Sequence, residues 1–318
     1  MLPADRIDGT IHVSASELVL NAGAVLRRVN LTTNTDPIVR LGYQGRLSGF
    51  GTLTTMNPSP RGVVNIGPHN LTLYENVEYA QVSGVHIQGA GLSWSIMKPA
   101  NQTVDKRLEG SRGLCFDSSE GYARTHMCQF VPEKPDCINH TVGGGACYQN
   151  TARDVQISDI DVGVYMGPEV NGNQVSNIMM IGMGQAAYFM DGPNGENTIS
   201  GGFTAGFGGN LTVIKARKSA YNYFMSVQSE PGRNSTYFDF DDHSLWNTVI
   251  GQDDTFDQSE FCPTIPAGGD PSMCAGPTVR DPNFIYMQHG QLHIGDFNTT
   301  IKSTGSPPGL EWRKCTIN

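Results

Sequence analysis

Val155-Gln156-Ile157-Ser158-Asp159-Ile160, Val175-Ser176-Asn177-Ile178 and Asn197-Thr198-Ile199-Ser200-Gly201-Gly202-Phe203 are three versions of one short phrase. Each alternates apolar and polar positions, the period of a strand with one buried face, and each carries Asp, Asn or Gly where a tight turn would fall. Val155, Val175 and Ile199 follow one another at about 20 to 24 residues, a spacing that suits one turn of a three-sided solenoid. A single turn cannot bury its own apolar side chains, whereas stacked turns line a continuous interior with Val, Ile, Leu, Phe and Met. The expected fold is an all-β solenoid of irregular coils with Asn177 at a corner.

The same texture extends toward the N-terminus. Thr10-Ile11-His12-Val13, Leu18-Val19-Leu20, Ile38-Val39-Arg40-Leu41, Val63-Val64-Asn65-Ile66 and Val82-Ser83-Gly84-Val85-His86-Ile87 are apolar patches too short for a packed helix and suited to short strands. Thirty-eight glycines and 18 prolines supply turns, and 38% hydrophobic residues is low for a compact globule. The expected organisation is one β-solenoid domain over 1–302 with a tail at 303–318. Two lateral insertions are expected, a Cys-rich one at 99–150 and a Pro-rich loop at 257–282, where ligand contacts commonly lie.

Thirty acidic residues against 21 basic ones give a net charge of −9, which argues against a nucleic-acid partner. No apolar run is long enough to span a membrane, and Met1-Leu2-Pro3-Ala4-Asp5 does not read as a leader. Seven Asn-x-Thr triplets, beginning at Asn30, Asn70, Asn101, Asn139, Asn210, Asn234 and Asn298, are an excess over chance and read as N-glycosylation acceptors. Cys115, Cys128, Cys137 and Cys147 cluster at spacings of 13, 9 and 10, with Cys262 and Cys274 as a second group and Cys315 left over. Local disulfides in an oxidising compartment are expected, and no CxxC pair supports a zinc site. The expected location is extracellular, on a cell surface or on a virion, with no cofactor and no metal.

On the Gly84-Val85-His86-Ile87, Val155–Ile160 and Asn197–Phe203 segments, the chain resembles the pectate-lyase-like superfamily, with a texture similar to viral tailspike and appendage proteins. The resemblance is diffuse over roughly residues 10–302. It implies a right-handed parallel β-helix that binds a polysaccharide or glycoconjugate along one side, as a homotrimer in the tailspike manner or as a monomer in the glycanase manner. Gly251-Gln252-Asp253-Asp254, Gln288-His289-Gly290 and Ile301-Lys302 resemble motifs of polygalacturonase-like enzymes, which implies a pair of carboxyl groups acting as acid and base on a glycosidic bond. Asn247-Thr248 is followed by Val249 where that pattern has Asp, and Thr300 stands where it has Arg.

A second acidic cluster, Asp239, Asp241, Asp242 and His243, precedes Trp246. Carboxylates on one strand face would converge above a groove, and Lys215, Arg217, Lys218 or Arg233 would have to fold near them to hold a charged substrate. The residues to weigh as catalytic are Asp241, Asp242, Asp253, Asp254 and His289. Trp94, Trp246 and Tyr79 are candidates for stacking on sugar. Because no chemical motif is complete, the leading expectation is an exposed structural or appendage protein with glycan or subunit contacts, and a polysaccharide hydrolase or lyase is the alternative.

Overall fold

The computed structural model describes residues 5–7, 9–28, 36–55, 58–68, 76–89, 110–118, 146–206, 211–231, 236–241, 244, 247–250, 278–280, 285–288 and 291–294. Among these the chain is all strand and turn, a parallel β-helix built from three long sheets. The first sheet has nine strands, from Ile11–Val13 through Arg112–Phe116, Val162–Met166, Ala186–Asp191 and Thr212–Arg217 to Thr236–Phe240 and Thr278–Arg280. The second has eight, from Glu17–Leu20 to Thr248–Ile250, and the third has eight, from Asp5–Ile7 to Gln228–Pro231. A narrow sheet of Val77–Glu78, Cys147–Tyr148 and Val170–Asn171 lies between the first and second in chain order, and bridges at Gly195 and Ala220 continue it. The hairpin Ile285–Gln288 and Gln291–Ile294 is the only antiparallel pairing among the described strands.

Register stacks like on like. In the second sheet Leu47, Val82, Ala152, Val175, Ile199, Phe224 and Val249 form one buried row. Leu53, Ile87, Ile157 and Met180 form the matching row of the third sheet, and Leu114, Val164, Tyr188 and Ile214 that of the first. These rows meet in one continuous core. A glycine is required where the first and third sheets approach: a Cβ at Gly163 would lie 2.3 Å from the Met180 sulfur and 2.8 Å from the Ala187 carbonyl.

The phase of the repeat differs from the sequence reading. Val175 pairs with Ala152, and Val155 lies at the next corner. Buried apolar residues flank both sides of that corner, so alternation alone does not say which valine belongs to which row. Asn177 does turn a corner in the left-handed conformation, φ 52°, and its side-chain amide donates to Asp154 Oδ1 at 2.6 Å.

Two further expectations are corrected. The stretch 99–150 is not one insertion, because Arg112–Phe116 is a buried strand of the first sheet paired on both sides. That strand belongs to the coil from Ile87 to its partner Ile157, with undescribed stretches at 90–109 and 119–145 on either side of it. Cys115 and Cys147, expected in disulfides, are free, buried thiols. The two thiols point to different sides: Cys115 faces outward from the first sheet with Val162 and Tyr165, beneath Gly62, while Cys147 faces the core from the narrow sheet. Burial pushes the Cys115 thiol up to about 12. Cys128, Cys137, Cys262 and Cys274, the seven Asn-x-Thr asparagines and the tail at 303–318 lie outside the described residues, as does 257–282 apart from the strand Thr278–Arg280.

A ladder of buried asparagines runs along the corner before the second sheet: Asn150, Asn173, Asn197, Asn222 and Asn247. Each of the last four accepts at Oδ1 from both the backbone N–H and the side-chain amide of the asparagine one coil earlier, at 2.9–3.2 Å. The amide nitrogens also donate to main-chain carbonyls, Asn150 to Val77, Asn173 to Cys147, Asn197 to Val170 and Asn247 to Ser219. Removing one rung leaves buried donors and acceptors unmet on both neighbours. Asn197→Ala is expected to lower unfolding free energy by about 2–4 kcal/mol, while Thr198→Ala beside it changes stability by about 0.5 kcal/mol or less. Denaturant midpoints of the two variants measure this, and equal midpoints would remove the ladder as a stabilising element.

Candidate ligand-binding face

The outward side of the first sheet carries a continuous row of chemically capable side chains. One row runs Arg40, Asn65, Cys115, Tyr165, Phe189, Lys215, Asp239, each in register with the next. Alternation places them there: Val164 and Met166 enter the core around Tyr165, and Tyr188 and Met190 around Phe189. Arg112 begins the strand that carries Cys115, and Asp191 pairs with Arg217 at the far end of the row.

Contacts knit these rows together. The Arg112 guanidinium lies 3.3 Å from the centre of the Tyr165 ring, and the Tyr165 hydroxyl donates to Asp191 Oδ2 at 3.0 Å. Phe189 meets Tyr165 edge to face at 5.7 Å and holds the Lys215 ammonium 4.8 Å above its own ring. Arg217 is paired with the Asp239 carboxylate and also donates to the Asp239 carbonyl at 2.7 Å. Burial raises the Tyr165 phenol above its ordinary range despite Arg112, with Asp191 and Cys115 adding to the rise. Burial and Arg61 lower the Arg40 guanidinium, which Asp117 and Asp36 partly offset.

The face brings some of the expected residues together. Lys215 and Arg217 do lie beside Asp239. Asp241 is placed differently from a free acid or base: its Oδ1 accepts from the Lys218 N–H at 2.9 Å and from the Ser244 hydroxyl at 2.6 Å, which makes it the staple of a turn. Asp242, Asp253, Asp254, His289, Trp94 and Trp246 lie outside the described residues. Among the described residues no group of three or more His, Cys, Asp or Glu is placed to hold a metal ion.

The sequence reading missed Arg112, Tyr165, Phe189 and Asp191 on this face. Tyr165, Phe189, Lys215 and Asp239 follow one another a coil apart, so their alignment was readable once the phase of the repeat was known. The asparagine ladder had the same signal, an Asn two positions before the inward residue of each second-sheet strand from Ala152 to Val249.

Three titratable groups lie on or just after third-sheet strands: His86 begins one, and Asp159 and Asp161 follow another before the first sheet. His86 lies with its Nε2 2.9 Å from the Ser158 hydroxyl, and burial lowers its pKa. Asp159 is buried in a left-handed turn, φ 55°, with Gly182 against its carboxylate. Asp161 accepts at Oδ2 from the Gly110 N–H at 2.9 Å and so holds the turn that precedes the strand Arg112–Phe116.

Desolvation pushes the Asp159 carboxyl up to about 6, and a hydrogen bond from Gln88 pulls the other way. A raised carboxyl favours the fold while protonated. Its contribution is complete below about pH 4 and is lost as pH rises through 6. His86 has the opposite sign, since its depressed pKa favours the neutral form and weakens the fold as pH falls below about 6.5. Asp159→Asn keeps a side chain that tolerates the left-handed turn and removes the charge. The variant is expected to match the parent near pH 4 and to exceed it by up to about 2 kcal/mol at pH 7.5. Denaturant titrations across that range test this, and a difference independent of pH would contradict it.

No family model, no curated protein and no solved structure matches the chain.

Proposed function

We propose that this protein is an exposed structural or appendage protein that contacts glycans along the outward face of its first sheet. The observation that carries the reading is the in-register row Tyr165, Phe189, Lys215, Asp239 with Arg112 and Arg217 beside it. Half-buried Phe189 offers an apolar edge to the C–H face of a pyranose, while the ammonium, guanidinium and carboxylate groups around it match hydroxyl or carboxylate substituents. Parallel strands repeat at about 4.8 Å along a straight axis, so the row presents evenly stepped contacts of the kind a linear polymer can follow.

Binding is favoured over cleavage by how the carboxylates of this face are engaged. Asp191 accepts from Tyr165, Asp239 is paired with Arg217, and Asp241 is held by the Lys218 amide and Ser244. Each is therefore already committed to a donor within the sheet. A preformed, mutually braced surface suits a contact that must stay rigid, because little side-chain order is lost on binding.

The test is calorimetric or array-based binding of the parent protein to acidic and neutral polysaccharides, followed by Phe189→Ala and Lys215→Gln. Each substitution is expected to weaken binding about tenfold, equivalent to about 1.4 kcal/mol, while circular dichroism stays unchanged. Undiminished affinity in both variants would remove this face as the contact surface. Release of new reducing ends from the polymer by the parent protein would replace the reading with a depolymerase.

A further inference from the structure

The corner that carries the asparagine ladder has an outer side. Before seven of the eight second-sheet strands, the residue two positions ahead of the strand lies among the described residues and is left-handed: Ala15, Gln44, Tyr79, Gln149, Gly172, Glu196 and Tyr221. Glycine adopts that conformation most easily, yet only one of these coils uses it. Gln44, Tyr79, Gln149, Glu196 and Tyr221 instead place amide, carboxylate or phenol groups at the corner, all of them exposed. Tyr79 and Tyr221 leave 47% and 52% of their surface in solvent, so little burial compensates the strain of holding an aromatic residue there.

We propose that this corner is a second saccharide-binding edge, with Tyr43 and Tyr79 as its aromatic anchor and an uncharged glycan as its ligand. It shares with the first-sheet reading the idea that the protein contacts glycans, and it stands on separate residues. Tyr43 and Tyr79 form an edge-to-face pair with centres 6.4 Å apart, and Gln44 Nε2 donates to the Tyr43 hydroxyl at 3.2 Å. Beside them the Tyr148 hydroxyl donates to Glu78 and receives Asn76 Nδ2 at 3.2 Å. Exposed aromatic rings next to planar amides and carboxylates are the groups that grip a pyranose, the rings on its apolar face and the planar polar tips on its hydroxyls.

The ladder makes this edge straight. Asn150, Asn197 and Asn222 each directly follow an exposed left-handed residue, so the buried hydrogen bonds fix the backbone from which Gln149, Glu196 and Tyr221 project. From Tyr79 to Tyr221 the edge climbs four coils, through Gln149, Gly172 and Glu196. At strand spacing this is about 19 Å, the span of a short oligosaccharide. Along the edge amides and phenols stand among few ionised groups, and Glu78 and Glu196 are offset by the exposed Arg46 and Lys218 beside it, a balance that suits an uncharged sugar. The first-sheet face, with Arg112, Lys215 and Arg217, has no such bias.

The experiment measures binding of cellohexaose, xylohexaose, mannohexaose and a hexameric oligogalacturonate to the full chain and to Tyr79→Gly, Tyr221→Gly and Phe189→Ala. Glycine relieves the left-handed strain, so the corner variants are expected to unfold at the same or a higher denaturant concentration while losing at least tenfold in affinity for a neutral hexasaccharide. Met179→Ala, an exposed side chain of the third sheet outside both surfaces, is measured alongside and is expected to keep that affinity, while Phe189→Ala is read on the oligogalacturonate. Corner variants that bind a neutral hexasaccharide as the parent does would overturn the proposal. So would a parent protein that takes only the anionic oligomer through Phe189, which leaves the first-sheet reading standing. Binding of neutral sugar lost in the corner variants but kept in Met179→Ala supports the corner.

Discussion

The side-chain amides of Asn150, Asn173, Asn197, Asn222 and Asn247 make a continuous hydrogen-bonded column inside the molecule, and the register of the coils it spans depends on that column. A buried amide has two donors and an acceptor that must be met. Here the coil above and the coil below meet them, so a coil displaced by one residue would strand polar groups along the whole corner. Register therefore does not rest on apolar packing alone, which tolerates sliding among residues of similar size. The amide column supplies the directional constraint, and the rows of core valines and isoleucines fall into line behind it. A second short network, in which Ser219 donates to Asn194 and Asn222 donates to Ser219, ties the column to the neighbouring turn.

Once coils are locked in register, a side chain's neighbours are set by its position in the coil and not by its position in the chain. That is why Arg112 can lie on Tyr165, which belongs to the next strand of the sheet, and why Lys215 stands between Phe189 and Asp239. It is also why the inside changes character along the axis. The third-sheet row is apolar from Leu53 to Met180, then becomes polar at Thr204 and Ser229, both buried. The second-sheet row compensates in those coils by enlarging from Ala152 and Val175 to Ile199 and Phe224, and Phe224 packs against Phe240 at 6.4 Å.

Alternating apolar pairs, abundant glycine and the approximate coil length were legible in the amino-acid order, and they are enough for an all-β solenoid. The phase was not, because Val155 and Val175 are both buried but belong to different sides of a corner. The strand Arg112–Phe116 was hidden among prolines and cysteines whose composition reads as loop, although Leu114-Cys115-Phe116 is as apolar as its neighbours. For Cys115 and Cys147 thiol clustering misled for a similar reason. Disulfides depend on side-chain direction, and in a strand that direction reverses with every residue. Lys215 and Arg217 were singled out only as cations in need of a partner, and the register that delivers Asp239 to them is a property of stacked coils that no local window contains.

The two outer surfaces differ in electrostatic character although the chain as a whole carries −9. Screening at physiological salt confines each charge to about 8 Å, less than two strand spacings. A ligand on the first-sheet face therefore senses Arg112, Lys215 and Arg217 with their local carboxylates far more than the net charge of the molecule. On the ladder corner the balance differs, since amides and phenols predominate and Glu78 and Glu196 are offset by the neighbouring Arg46 and Lys218. A solenoid with locked register can hold such distinct strips side by side because each strip is written in its own column of the repeat. Changing Phe189 or Lys215 alters one column and leaves the corner column unaltered, which is how a single core can carry two chemically distinct strips.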